Sequence, residues 1–318
     1  MSGRAREIGF RVAVALLCLA LLEGGLRAFG LPEADACWAP KEAYWTPDAE
    51  LGFAYRPGAR VAGGVVNALG LRGPVPARAK PPGTRRVLFV GDSTTWGWGV
   101  AEHETYWAIA AQRLAAAGGA RVEPLVAAAP GYSSHQSRVL LRRMLAWRPD
   151  DVVLLVGAYN DRRRRVYYPD AAIPARMQRR TGAPHRLRAA VAAELAADKL
   201  GGWIDRHLRD PHGIARVPPA AFEANVRAML AATRSAGARA LVLVPPYAAR
   251  RRERPPPAAA YEEILTRLAR EHGAPELALA PVLVGCARDE LCLPDGIHPD
   301  AEGHRRIGDA VAAALGAA

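Results

Sequence analysis

Val87-Leu-Phe-Val-Gly-Asp-Ser-Thr-Thr-Trp-Gly97 is the stretch on which the reading of this 318-residue chain turns. Its apolar run stops abruptly at Gly91-Asp92-Ser93, and helix-compatible sequence follows from His103 to Ala117. A short apolar run closed by a turn signal and followed by a helical stretch reads as a buried parallel strand entering a strand-turn-helix unit. Ser93 then stands at the strand's carboxyl end. Open parallel sheets bind ligands there, and the start of the next helix favours negative charge. A bare Gly-Asp-Ser also fits a serine that merely caps that helix, so the decision rests on residues far downstream.

Outward from this stretch the alternation of strand and helix patterns continues. Strands are expected at Arg85–Gly91, Val122–Ala128, Asp151–Gly157 and Ala240–Val244. Helices are expected at His103–Ala117, Ser134–Trp147, Ala220–Ser235, Ala258–His272 and Pro299–Leu315. Such alternation predicts an α/β domain whose parallel sheet is covered on both faces. Residues 31–83, rich in Pro, Gly and aromatics, read as a stem packed on that domain, which occupies 84–318 with a basic insertion at 162–216.

The segment Leu293-Pro-Asp-Gly-Ile-His-Pro299 gives Ser93 its weight. Asp295 precedes His298 by three residues in a loop leading into the final helix, so the carboxylate can fold back onto its own histidine. A carboxylate against one ring nitrogen fixes the tautomer and stabilises the imidazolium, which leaves the other nitrogen to take a serine proton. Two further segments follow predicted strands, Ala129-Pro130-Gly131-Tyr132 and Gly157-Ala158-Tyr159-Asn160-Asp161. Gly131 can present an unhindered backbone N–H and Asn160 a side-chain amide, and with the Ser93 N–H these would make an oxyanion hole. Singly, each residue fits a turn, a strand end or a surface histidine. Asp92 and Asp161 read as structural, while Trp96 and Trp98 suit either a substrate wall or core packing.

Together these segments resemble the SGNH (GDSL) hydrolase superfamily, whose blocks appear in order as Gly91-Asp92-Ser93-x-Thr95-x-Gly97, Gly131, Asn160-Asp161 and Asp295-x-x-His298. The resemblance implies a three-layer flavodoxin-like fold with Ser93 as nucleophile, His298 as base and Asp295 as its orienter. It also implies oxyanion donors at Ser93, Gly131 and Asn160, and no metal or organic cofactor. One departure is visible: Gly157 stands three residues before Asn160, and Ala158 occupies the place where the family usually has its glycine.

At the amino terminus Arg4, Arg6 and Arg11 precede Val12 to Leu22, eleven uncharged and mostly aliphatic residues. A spanning helix needs about 20 residues, which Ile8 to Phe29 supplies with Arg11, Glu23 and Arg27 near its ends. The small-x-small triplet Ala34-Asp35-Ala36 lies well beyond the apolar run, so residues 1–30 are expected to form an uncleaved membrane anchor. The positive-inside rule then keeps the arginines cytoplasmic and puts the catalytic domain outside. Of the four cysteines, Cys286 and Cys292 close a short loop before Asp295, which suits a disulfide in an oxidising compartment or two unpaired thiols. No Cys-x-x-Cys or His-x-x-x-His spacing suggests zinc, and no dinucleotide or Walker loop is present.

The net charge is +12, carried by 40 arginines against only 3 lysines, a bias that codon composition explains as readily as a charge requirement. Without zinc-finger spacing or RNP-like aromatics, no nucleic-acid partner is expected. From Arg162 to Arg216 the chain carries 12 arginines and one lysine against five acidic residues, a net +8. Arg162 and Arg163 follow one strand's carboxyl end and Arg250 and Arg251 follow another's, so both pairs suit either a solvated surface or a basic rim beside Ser93. Such a rim would attract an anionic acylated glycan or lipid. Three functions fit: an extracytoplasmic acyl or acetyl esterase, an O-acyltransferase modifying a surface polysaccharide with the same residues, and a non-catalytic envelope binder. The Asp295 and His298 pairing argues against the binder.

Overall fold

Val87, Leu88, Phe89 and Val90 are all fully buried, and they divide between two cores. Side chains alternate across a strand, so Leu88 and Val90 pack with Leu140, Phe222 and Leu265 on one face. Val87 and Phe89 pack with Trp107, Ile307 and Val311 on the other. A strand apolar on both sides is the mark of a parallel sheet covered by two helical layers.

The computed structural model describes residues 3–31, 44–157, 159–162, 164–165, 170–175, 187–204, 214–245, 258–283, 293–295 and 297–316. Helix α1 spans Gly3–Ala28, and strands β1 (Trp45–Asp48) and β2 (Gly52–Tyr55) form an antiparallel pair. The central units are β3 (Thr84–Gly91), α2 (Ser93–Trp96), α3 (Tyr106–Gly118), β4 (Arg121–Ala128), α4 (Ser134–Met144) and β5 (Asp151–Leu155). There follow α5 (Arg188–Ile204), α6 (Pro219–Ser235), β6 (Arg239–Val244), α7 (Ala258–Glu271), β7 (Glu276–Ala278) and α8 (Ala301–Gly316).

Five parallel strands stand in the order β7-β6-β5-β3-β4. Numbered among themselves they run 2-1-3-4-5, the flavodoxin-like order, whose ligand crevice lies where the winding reverses between the first and third strands. Here that point lies between β3 and β5, with Gly91 level with Leu155. The strand leading to Ser93 and the strand leading to Asn160 therefore flank the crevice.

Most expected elements are present within a residue or two, and the differences have local causes. Strand β5 ends at Leu155, two residues early, because the Gly157 N–H donates to Asp161 Oδ2 at 3.1 Å instead of continuing the ladder. The helix expected through Trp147 changes to a 3-10 turn at Leu145. Strand β7, only three residues long, and helix α5 inside the basic insertion were not expected.

The stem residues contribute to the core. Leu51, Phe53, Tyr55, Val66 and Leu71 join the cluster containing Leu88 and Val90. The Asp48 carboxylate accepts the Glu50 and Leu51 N–H groups, each at 2.8 Å, which makes the turn of the β1–β2 hairpin. Helix α1 leaves its apolar side chains exposed, Phe10 at 70% and Leu16 at 62%, and Arg4–Ala28 is long and apolar enough to cross a membrane. Toward its carboxyl end Glu23 accepts the Arg188 and Ala189 N–H groups at 3.0 and 2.8 Å, so α1 caps the start of α5.

Candidate active site

Gly91 is small for a steric reason. A Cβ there would collide with Thr95 and lie 2.7 Å from the Leu155 carbonyl oxygen, so the turn out of β3 closes tightly only on glycine. Asp92 then caps the one-turn helix α2, its Oδ1 accepting the Thr94 N–H at 2.9 Å. Ser93 begins that turn, 8% exposed. The fully buried Arg72 braces the turn from the stem, donating to the carbonyls of Trp96, Gly97 and Val100 at 2.9, 2.7 and 2.8 Å.

Into this turn the loop before α8 brings His298. Its Nε2 lies 2.7 Å from Ser93 Oγ, and its Nδ1 lies 2.6 Å from Asp295 Oδ2. With the ring proton on Nδ1 and donated to the carboxylate, Nε2 is left to accept the serine hydroxyl. Asp295 is itself fixed, because Oδ1 accepts the Ile297 and His298 N–H groups at 2.8 and 3.0 Å. Burial works to raise the Asp295 carboxyl, but the His298 ring and the two amides outweigh it and hold the group below its ordinary value. Trp98 stacks on the His298 ring, centroids 5.3 Å apart. Trp96 is fully buried and donates to the Val61 carbonyl at 3.2 Å, so of the two tryptophans it is the core residue.

Gly131 takes φ +80, a conformation costly for any residue with a Cβ. Neither its N–H nor that of Ser93 is taken by an acceptor among the described residues. Asn160 is 5% exposed and donates through Nδ2 to Asp92 Oδ2 at 3.3 Å, which ties the β5 loop to the Ser93 turn despite the longer spacing from Gly157. Asp161 accepts the Ser134 N–H at 2.9 Å through its other oxygen, joining the α4 start to the same loop. Burial pushes the Asp161 carboxyl up to about 6, against the opposing hydrogen bonds from Ser134.

Two residues here carry no sequence signal: Arg216 and Asp170, both fully buried. Arg216 Nε donates to Asp170 Oδ1 at 2.9 Å and Nη2 to Asp170 Oδ2 at 2.5 Å. The remaining donors reach Asn160 Oδ1 at 3.0 Å and the Gly131 carbonyl at 2.7 Å. Counted by sequence among the insertion's surface charges, Arg216 is instead an interior cation with its counterion beside it. Of the expected basic rim, Arg162 is half-buried and acts on the Glu262 carboxyl of α7, which burial raises. Arg163, Arg250 and Arg251 lie outside the described residues, as do Cys286 and Cys292.

A serine turn at the switch point of a flavodoxin-like sheet, with a histidine and a carboxylate hydrogen-bonded behind it, is the architecture of a serine ester hydrolase. The chain belongs to the GDSL-like Lipase/Acylhydrolase family, whose profile matches residues 89–306, and it is a carboxylic ester hydrolase of that type. Among solved structures it is similar to a lipase/acylhydrolase from Enterococcus faecalis, at 20% identity and TM-score 0.49, covering 73% of this chain and 95% of that one. It is also similar to a psychrotrophic esterase from Pseudoalteromonas sp., at 15% identity and TM-score 0.47, covering 73% and 97%. A third is an acetyl-xylooligosaccharide esterase from Geobacillus, at 16% identity and TM-score 0.48, covering 71% and 91%. No curated protein matches the sequence.

Proposed function

We propose that this hydrolase is an acyl or acetyl esterase working outside the cytoplasm on an acylated glycan or lipid, with Ser93, His298 and Asp295 as its catalytic residues. The observation that carries the reading is the hydrogen-bonded series from Asp295 through His298 to Ser93, at 2.6 and 2.7 Å, joining residues 205 positions apart. Ser93 Oγ attacks the ester carbonyl carbon while His298 Nε2 takes the hydroxyl proton, and Asp295 stabilises the imidazolium that results. The carbonyl oxygen becomes an oxyanion among the Ser93 and Gly131 N–H groups and the second Nδ2–H of Asn160. As the tetrahedral adduct collapses, the C–O bond to the alcohol breaks and His298 returns the proton to the leaving oxygen. Water then attacks the acyl-serine, with His298 again as base.

The anchor reading rests on the exposed apolar flank of α1 and on Arg4, Arg6 and Arg11 at its start, which the positive-inside rule assigns to the cytoplasm. Purified protein should label with a fluorophosphonate, and Ser93→Ala should not. Equal labelling of the two would remove Ser93 from the chemistry. Hydrolysis of acetyl against longer-chain esters then sets the acyl length.

A further inference from the structure

Gly131 and Asn160 come from different loops, and an oxyanion hole works only if its donors are aimed before the reaction begins. One side chain touches both. We infer that Arg216, clamped by Asp170, is the positioning residue of the oxyanion hole, and this rests on the oxyanion roles proposed above for Gly131 and Asn160. Four of the five guanidinium N–H groups are used: two on Asp170, one on Asn160 Oδ1 at 3.0 Å and one on the Gly131 carbonyl at 2.7 Å. Holding Asn160 by its oxygen leaves its NH2 group turned toward Asp92 and the serine turn. A cation on the amide oxygen also polarises that amide, which strengthens Nδ2–H as a donor. Holding the Gly131 carbonyl fixes the left-handed backbone that aims the N–H on the other side of the residue.

Asp170 makes this arrangement possible. An unpaired guanidinium could not be held in so dry a place, and both side chains are 1% exposed. The Asp170 N–H also donates to the Arg216 carbonyl at 2.7 Å, so the pair is locked through backbone and side chain alike. Asp170 and Arg216 lie near the two ends of the long insertion after β5. The insertion thereby returns to the catalytic edge of the sheet to complete the site. A lysine cannot take over this role, because an ammonium is a point charge and cannot span both partners while remaining paired in a planar fork.

The test compares Arg216→Lys, Arg216→Ala and Asn160→Ala in the full-length protein, with melting temperature and kcat and KM on a soluble acetyl ester as readouts. We expect kcat to fall roughly 10²-fold in Arg216→Lys and in Asn160→Ala, with KM little changed, since the oxyanion forms only in the transition state. Methylguanidinium should restore part of kcat to Arg216→Ala and none to Asn160→Ala, a rescue that a purely structural role would not give. The Arg216→Ala and Asn160→Ala effects should also fail to add when combined. A folded Arg216→Lys with wild-type kcat, beside a slow Asn160→Ala, would overturn the inference and leave the oxyanion reading standing. Normal turnover in Asn160→Ala would overturn that reading first. If Arg216→Ala does not fold, Arg216→Lys decides; if both unfold while Asp170→Asn folds with unchanged kcat, the pair is structural and the inference fails.

Discussion

Asp295 accepts three hydrogen bonds, from the Ile297 N–H, the His298 N–H and the His298 ring. Replacement by asparagine therefore tests orientation and not folding. In Asp295→Asn the amide oxygen can still take the two backbone donors, while the NH2 group faces Nδ1. That favours the tautomer with its proton on Nε2, which cannot accept the serine proton. Turnover should fall on the order of 10⁴-fold while the melting temperature stays near that of wild type, and near-normal kcat would show that Asp295 does not set the tautomer. At this scale the sequence was readable where the relation is local, as in Asp295 and His298, three residues apart. Arg216 and Asp170 are 46 residues apart within an arginine-rich run. Nothing in that run distinguishes the buried Arg216 from the arginines counted with it.

At the scale of elements, the histidine loop is aimed by how α8 docks on α3. His304, in the first turn of α8 and fully buried, accepts the Tyr106 N–H through Nδ1 at 3.2 Å, which satisfies one orphan donor at the start of α3. The Tyr106 ring stacks on it, centroids 6.0 Å apart. Burial drives the His304 pKa down to about 3, with the positive charge of Arg72 acting in the same direction. The folded state thus binds no proton at His304 where the unfolded chain, with an ordinary pKa of about 6.5, does. This contribution to stability is fully present above pH 6.5 and is lost as pH falls from there toward 3. His304→Asn keeps an oxygen close to the Nδ1 position and removes the titration. Its unfolding free energy by urea should be lower at pH 7.5 but should decline less between pH 6.5 and 4.5, and parallel pH curves for the two proteins would rule the histidine out. The long strands β3 and β4, apolar and closed by turn signals, were legible. Strand β7 was not, because its three residues are half-exposed or exposed at the sheet edge and carry no pattern. The β1–β2 hairpin has no turn signature in the sequence, because its turn depends on the Asp48 side chain and not on a glycine pair.

Across the whole molecule, the order 2-1-3-4-5 makes the separate motifs one site: it sets β3 and β5 side by side, so that loops distant in sequence open on one crevice. Strand-helix alternation was enough to predict a covered parallel sheet; the insertion's route back to the site was not predictable, since its path depends on the buried Arg216 and Asp170. The proposed preference for an anionic substrate rests on charge along the sequence: the insertion carries a net +8 of the chain's +12, and Arg162 follows β5 at its carboxyl end. A field of this sign concentrates anionic substrates, and at 0.1 M salt it is screened over about 10 Å. Neutral esters feel no such attraction, so the two substrate types should separate in one titration on the unmodified enzyme. Raising salt from 20 mM to 500 mM, on the order of a 25-fold change in ionic strength, should increase KM for a carboxylate-bearing acetyl ester several-fold and leave its kcat unchanged. KM for the matched neutral ester should stay flat. If both esters respond alike, or neither responds, the arginines do not steer substrate, and the preference for an anionic glycan or lipid falls while the serine chemistry stands.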